Sequence, residues 1–118
     1  MKTKALVVGL PVEVAYDLAE GKRNTFAVRK KPPRMGRIVI FSLEGGDAER
    51  PGLSTVADAV LESARWNGRR WVCKVGDIIP LIPIFPIKMS ENICESEIPD
   101  EIIQPYPNNQ NIRRWLKS

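Results

Sequence analysis

The pattern of hydrophobic and polar positions predicts a domain built mainly from short β-strands. Some segments are apolar and rich in β-branched residues, whereas others alternate with the two-residue period of a half-buried strand. These segments cover residues 4–10, 25–30, 36–43, 69–75 and 111–117. Turn-forming residues separate them, including Pro32-Pro33 after the second segment and Asn108-Asn109 before the last. The strands therefore form the framework of the predicted fold.

Two other segments have the spacing of amphipathic helices. Pro11 suits the first turn of a helix, and the apolar residues that follow it recur at helical spacing until Gly21, which is a predicted C-cap. A second helix is predicted from Ser54, as N-cap, to Gly68. Its apolar stripe comprises Val56, Ala57, Val60, Leu61 and Ala64. The sequence therefore predicts two helices between the strands.

The remaining segments predict extended or irregular structure. Pro80, Pro83 and Pro86 recur every third residue, which is compatible with a polyproline II ligand, but the residues between them are apolar and favour a buried or edge segment. The acidic segment 91–101 predicts a loop with a short helical turn. The fold class is therefore α+β, mostly β: a small, partly open barrel with two helices and a proline-rich extended segment. Its predicted core comprises Val7, Phe26, Val28, Val39, Phe41, Trp71 and Cys73, with Val60 and Leu61 packing the second helix onto it.

Composition narrows the class of protein. A chain of 118 residues with 43% hydrophobic and 27% charged residues is typical of one soluble globular domain, predicted over 1–118. The apolar residues 5–10 are too few for a secretory signal, and the run 78–87 contains prolines, so a cytoplasmic protein without a membrane segment is expected. Histidine is absent. This removes the commonest general base and metal ligand, so neither a metal site nor a cofactor is predicted.

Positive charge is concentrated in one segment. Residues 21–43 contain seven of the eighteen Lys and Arg residues and no acid, so this segment carries about +7 in a chain of net +4. Such asymmetry indicates a surface for an anion. Strand alternation places Thr25, Arg29 and Lys31 on one face. The candidate anion-binding residues are Lys22, Arg23, Thr25, Arg29, Lys31, Arg37 and Trp115, the last being a stacking candidate among basic neighbours.

Residues 11–43 resemble the amino-terminal half of the ASCH family, within the PUA-like superfamily. Domains of that family begin with a strand and a helix, continue with a motif approximating G-x-K-x-x-E-x-R and then enter a strand led by glycine. The matching positions here are Gly21, Lys22, Thr25, Phe26, Val28, Arg29, Pro33, Gly36 and Arg37. The resemblance implies a PUA-like barrel that binds RNA or a modified nucleotide near the junction of the first helix and second strand.

The resemblance also implies a possible enzyme. Family members similar to small amidohydrolases use a Lys and a Thr three residues apart and a Glu from a later strand. Lys22 and Thr25 keep that spacing, and Asp77 is the candidate for the carboxylate. However, when the motif is aligned on Arg29, its Glu falls at Ala27 and its Lys at Asn24.

Three functions therefore stay open. The first is RNA or nucleotide binding, with Trp66, Trp71 and Trp115 as possible stacking platforms. The second is an amidohydrolase acting on acylated nucleobases through Lys22 and Thr25. The third is interaction with an acidic protein partner, or pairing of the basic segment with the chain's own acidic segment. The sequence favours binding over catalysis, because the motif's acid is missing and no histidine can replace the base.

Overall fold

One α-helix and six strands account for most of the described chain. The computed structural model describes residues 2–43, 50, 52–84 and 93–105. Among these residues no helix is long and apolar enough to cross a bilayer. The elements are β1 (Lys2–Leu10), α1 (Val12–Ala19), β2 (Thr25–Val28), β3 (Gly36–Ser42), β4 (Thr55–Trp66), β5 (Trp71–Pro80), β6 (Cys94–Pro99) and a 3₁₀ turn (Asp100–Ile102).

The strands form a single sheet in the order β2-β5-β4-β3-β1-β6. The β1–β3 pair is parallel and the other pairs are antiparallel. The predicted barrel is wrong, because the sheet is open and its edge strands β2 and β6 do not pair with each other. Barrel closure needs a hydrogen-bonded register between the two edges, and in the described chain β2, which is only four residues long, pairs only with β5. The described part of the chain is mostly β, with an open sheet and one helix.

The predicted second helix is also wrong, because that segment forms β4. Ala57, Ala59 and Leu61 are buried with the two-residue period of a strand, whereas Val60 is exposed. A bulge between Leu61 and Ser63 then shifts the alternation, so that the next residue to pack on the core is Ala64. The resulting spacings of four and three residues imitate a helix. Pairing with β3 and β5 overrides the weak local preference.

Most of the predicted core is confirmed. The main cluster lies between α1 and one face of the sheet and includes Phe26, Val28, Leu61 and Cys73, whereas a smaller cluster on the other face includes Val39 and Phe41. Val7 and Trp71 are half-buried at the margins of these clusters. Val60 is 37% exposed, so its predicted core position is wrong: its side chain projects away from the main cluster.

The segments after β5 differ in part from their predictions. Pro80 is buried at the end of β5, and Leu81 bridges to Pro105, so the start of the proline-rich segment is packed and extended. Within the acidic segment, Cys94–Pro99 form a strand, β6, rather than a loop, because their backbone pairs with the free edge of β1. The short turn that follows it was predicted. Pro86, the closing strand at 111–117 and Trp115 lie outside the described residues.

Candidate nucleic-acid interface

The loop between α1 and β2 holds two of the predicted anion-binding cations in ion pairs. Gly21 turns the chain with a φ of 76°, and the Lys22 amide then donates to the Asp17 carbonyl at 2.8 Å. The Lys22 Nζ lies 2.8 Å from the Glu20 carboxylate, and Arg23 lies 3.6 Å from that of Asp17. The Glu20 side chain is only 7% exposed and also pairs with Arg50. Lys22 and Arg23 are therefore already paired with carboxylates of the protein itself.

Two further cations of the basic segment are engaged in the same way. Arg37 makes two hydrogen bonds to the Asp58 carboxylate across the β3–β4 ladder, and the hydrogen bond raises the pKa of Arg37. Arg34 donates to Glu95 at 2.6 Å, which lowers the pKa of that carboxyl group. Four of the seven cations in residues 21–43 are thus paired, and the basic segment does meet the chain's own acidic segment at one point.

The other three cations lie together just after β2. Arg29, Lys30 and Lys31 are exposed, and none forms an ion pair with a residue that the structure describes. The Lys31 Nζ lies 5.5 Å from the centroid of the Trp71 ring, a cation–π contact. Because Val28 pairs with Trp71 in the β2–β5 ladder, the next residue, Arg29, lies beside Arg70. The unpaired positive charge of the basic segment therefore lies at this end of the sheet.

A small hollow separates the ends of β1 and β2. Its volume is about 180 Å³, and Arg29 and Arg70 both line it. The other lining residues are apolar or small: Gly9, Leu10, Pro11, Ala27, Val28 and Leu43. No acid is among these residues, and like charges on adjacent strands repel each other. The hollow is thus bordered by two arginines and by no acid, which suits a ligand that carries negative charge.

The β4–β5 hairpin extends the basic surface beyond the predicted segment. Its tip contains Arg65, Trp66, Arg69, Arg70 and Trp71, and in the described part of the chain none of these arginines is ion-paired. Trp66 and Trp71 were predicted from the sequence as possible stacking platforms, but the three arginines were missed, because the pattern assigned this region to the end of a helix and a separate strand. A signal was present, since residues 63–76 contain four cations and no acid.

The residues of the amidohydrolase alternative are only partly brought together. Lys22 and Asp77 line one open groove of about 470 Å³, which runs between residues 21–24 and 75–78. Thr25 does not line this groove and lies opposite Lys74 in the β2–β5 ladder. Asp77 has a left-handed φ of 49°, which is uncommon for a residue other than glycine. Cys73 offers no nucleophile, because burial raises the pKa of its thiol to about 11.

Comparison with known proteins identifies the fold. Neither a family model nor a curated protein matches the sequence. Among solved structures, the chain is similar to the crystal structure of a mutant ZmASCH protein from Zymomonas mobilis, with a TM-score of 0.60 and 17% identity. The match covers 76% of this chain and 86% of that one. The open sheet, with one helix among the described residues, therefore has an ASCH-type fold.

Proposed function

We propose that this protein is an RNA-binding module whose phosphate contacts are made at the hollow between β1 and β2. The observation that carries the proposal is the pair Arg29 and Arg70, which line an acid-free hollow without a described ion-pair partner. Lys31 lies on the same end of the sheet, beside Trp71. The ASCH-type fold is consistent with a nucleic-acid partner.

Phosphate is the anion that best fits this arrangement. Guanidinium groups bind phosphate through paired, charge-assisted hydrogen bonds, and Arg is favoured where such planar recognition is needed. The hollow, at about 180 Å³, is smaller than the roughly 300–1,000 Å³ of sites that enclose a drug-sized ligand. It therefore accommodates one phosphate, or part of one nucleotide, while the rest of a longer strand lies on the basic surface.

The two other functions have less support in the geometry. In the amidohydrolase alternative, Lys22 would have to act as a neutral amine, but its Nζ lies 2.8 Å from the Glu20 carboxylate, which favours the charged form. Thr25 also lies outside the groove that Lys22 lines. An acidic protein partner would be expected to use the whole basic segment. Four of its seven cations are instead paired within the chain.

The test is binding of a fluorescent, mixed-sequence single-stranded RNA, followed by anisotropy at several salt concentrations. For single strands, log K falls with log salt by about 0.7 for each neutralised phosphate. The double variant Arg29→Ala/Arg70→Ala should therefore flatten the slope by about 1.4 if each arginine contacts one phosphate. The matched control is Arg34→Ala/Arg37→Ala, which removes the same charge from paired positions and should leave the slope nearly unchanged.

Each outcome decides for or against the proposal. Weak or absent binding by wild type at about 50 mM salt, where phosphate contacts are strongest, would refute it. Equal losses in the two double variants would show that only net charge matters, which also contradicts the assigned site. Hydrolysis of an N4-acylated cytidine that disappears with Lys22→Ala would establish the enzymatic alternative in its place.

A further inference from the structure

We infer that an unpaired base stacks on Trp66 at the tip of the β4–β5 hairpin, so that the ligand is a single strand rather than a duplex. This inference rests on the proposed RNA binding and goes further by naming the form of RNA and a second contact site. Trp66 is 50% exposed and is the only exposed aromatic side chain among the described residues. An exposed tryptophan among cations is the arrangement with which proteins hold single strands.

The Trp66 ring packs against a second tryptophan, Trp71. The two residues are opposite each other in the β4–β5 ladder, with ring centroids 5.7 Å apart and planes tilted by 56°. Trp71 in turn packs against the main core and carries Lys31 near its ring. These contacts restrict the Trp66 ring while half of the residue stays accessible, so little conformational entropy is lost when a base stacks on it.

The turn next to Trp66 is held in a defined shape. The Asn67 side-chain oxygen accepts hydrogen bonds from the amides of Arg69 and Arg70, at 2.9 and 2.8 Å. The Asn67 amide donates to the Arg70 carbonyl, and Gly68 has a φ of 100°. The backbone of the two arginines is therefore positioned beside the exposed ring before any ligand arrives.

Charge identifies the occupant. Arg65, Arg69 and Arg70 flank the ring, and no acid occurs between residues 63 and 76. An apolar protein partner would meet uncompensated cations at this tip, whereas a nucleic acid supplies a ring to stack and a phosphate for each cation. Within a duplex both faces of an internal base are already stacked on its neighbours, so along the length of a strand only unpaired bases can use Trp66. Arg70 also lines the hollow, so one RNA strand can reach both the hollow and the Trp66 ring.

The experiment compares single-stranded RNA of about twelve nucleotides with a blunt duplex of the same sequence and with an abasic strand of the same length. Wild type should bind the single strand at least tenfold more tightly than the duplex. Trp66→Ala should weaken binding of the single strand by roughly 5- to 150-fold, the cost of losing one stacked base, and Trp66→Phe should restore most of it. The salt slope should not change, because Trp66 contacts no phosphate.

Two controls separate stacking from other effects of the substitution. Ile79→Ala removes a partly exposed apolar side chain of β5 away from the tip and should have no effect on binding. The abasic strand should bind wild type and Trp66→Ala equally. Two results would overturn the stacking inference: wild type binding the single strand and the duplex with equal affinity, or Trp66→Ala binding the single strand as tightly as wild type. The proposed function would still stand if Arg29→Ala/Arg70→Ala weakens binding. Absence of all RNA binding would instead refute the proposed function.

Discussion

Adjacent residues in β4 provide a sharp test of the fold, because a helix and a strand assign them differently. A helix would pack both Val60 and Leu61 on the core. In the strand only Leu61 does so: it is 1% exposed, whereas Val60 is 37% exposed on the other face. Leu61→Ala removes three buried carbons, worth about 0.8 kcal/mol each, and leaves a cavity, so we expect a loss of about 3 kcal/mol in the free energy of unfolding. Val60→Ala should cost less than about 1 kcal/mol.

Urea denaturation followed by circular dichroism measures both losses. With an m-value of about 1.5 kcal/mol/M, the Leu61→Ala midpoint should fall by about 2 M and the Val60→Ala midpoint by well under 1 M. Val60→Thr serves as a control, since it keeps the branched shape and should change stability by less than about 0.5 kcal/mol. Similar losses for Val60→Ala and Leu61→Ala would refute the strand register and restore the helix.

Two further predictions follow from the shifted pKa values. Arg34 lowers the pKa of Glu95 below its ordinary value of 4.5, so the pair should stabilise the fold above pH 4.5 and lose this effect as the pH falls through the lowered pKa. In Arg34→Ala, NMR titration of the carboxyl groups should show a higher pKa for Glu95 than in wild type. An unchanged pKa would exclude the pair. Burial raises the pKa of Cys73 to about 11, so at pH 8 a disulfide reagent should react with Cys94 before Cys73. Cys94→Ser should therefore abolish the fast phase of labelling. Fast labelling that survives this substitution would contradict the burial of Cys73.

Local pattern predicted the elements whose alternation is uninterrupted, and it failed where the outcome depends on pairing between distant residues. The segment that became β2 was recognised because Phe26 and Val28 alternate with polar or small residues. In β4 the bulge after Leu61 changed the period, and no local feature announces a bulge. Whether a sheet closes depends on its edges, which the order of elements does not determine.

The same difference between local and distant interactions separates the site residues that were predicted from those that were not. Arg29 was predicted from the charge of its own segment, and the structure places it at the acid-free hollow. Arg70 was missed because it reaches that hollow only through the pairing of β5 with β2. Arg37 was assigned to the anion site, but Asp58, twenty-one residues later, neutralises it across the β3–β4 ladder. Charge density along a sequence therefore indicates a binding surface without showing which cations remain available.

The position of β1 within the sheet has a consequence for the order of synthesis. β1 lies between β3 and β6, so one of its two edges stays unpaired until residues 94–99 have been made. At roughly 5–20 residues per second, the ribosome needs several seconds to cover that interval. During this time an apolar strand, residues 5–10, presents a bare edge. The exposed Lys2 and Lys4 at its beginning are the charges with which natural proteins discourage such an edge from joining a neighbouring chain.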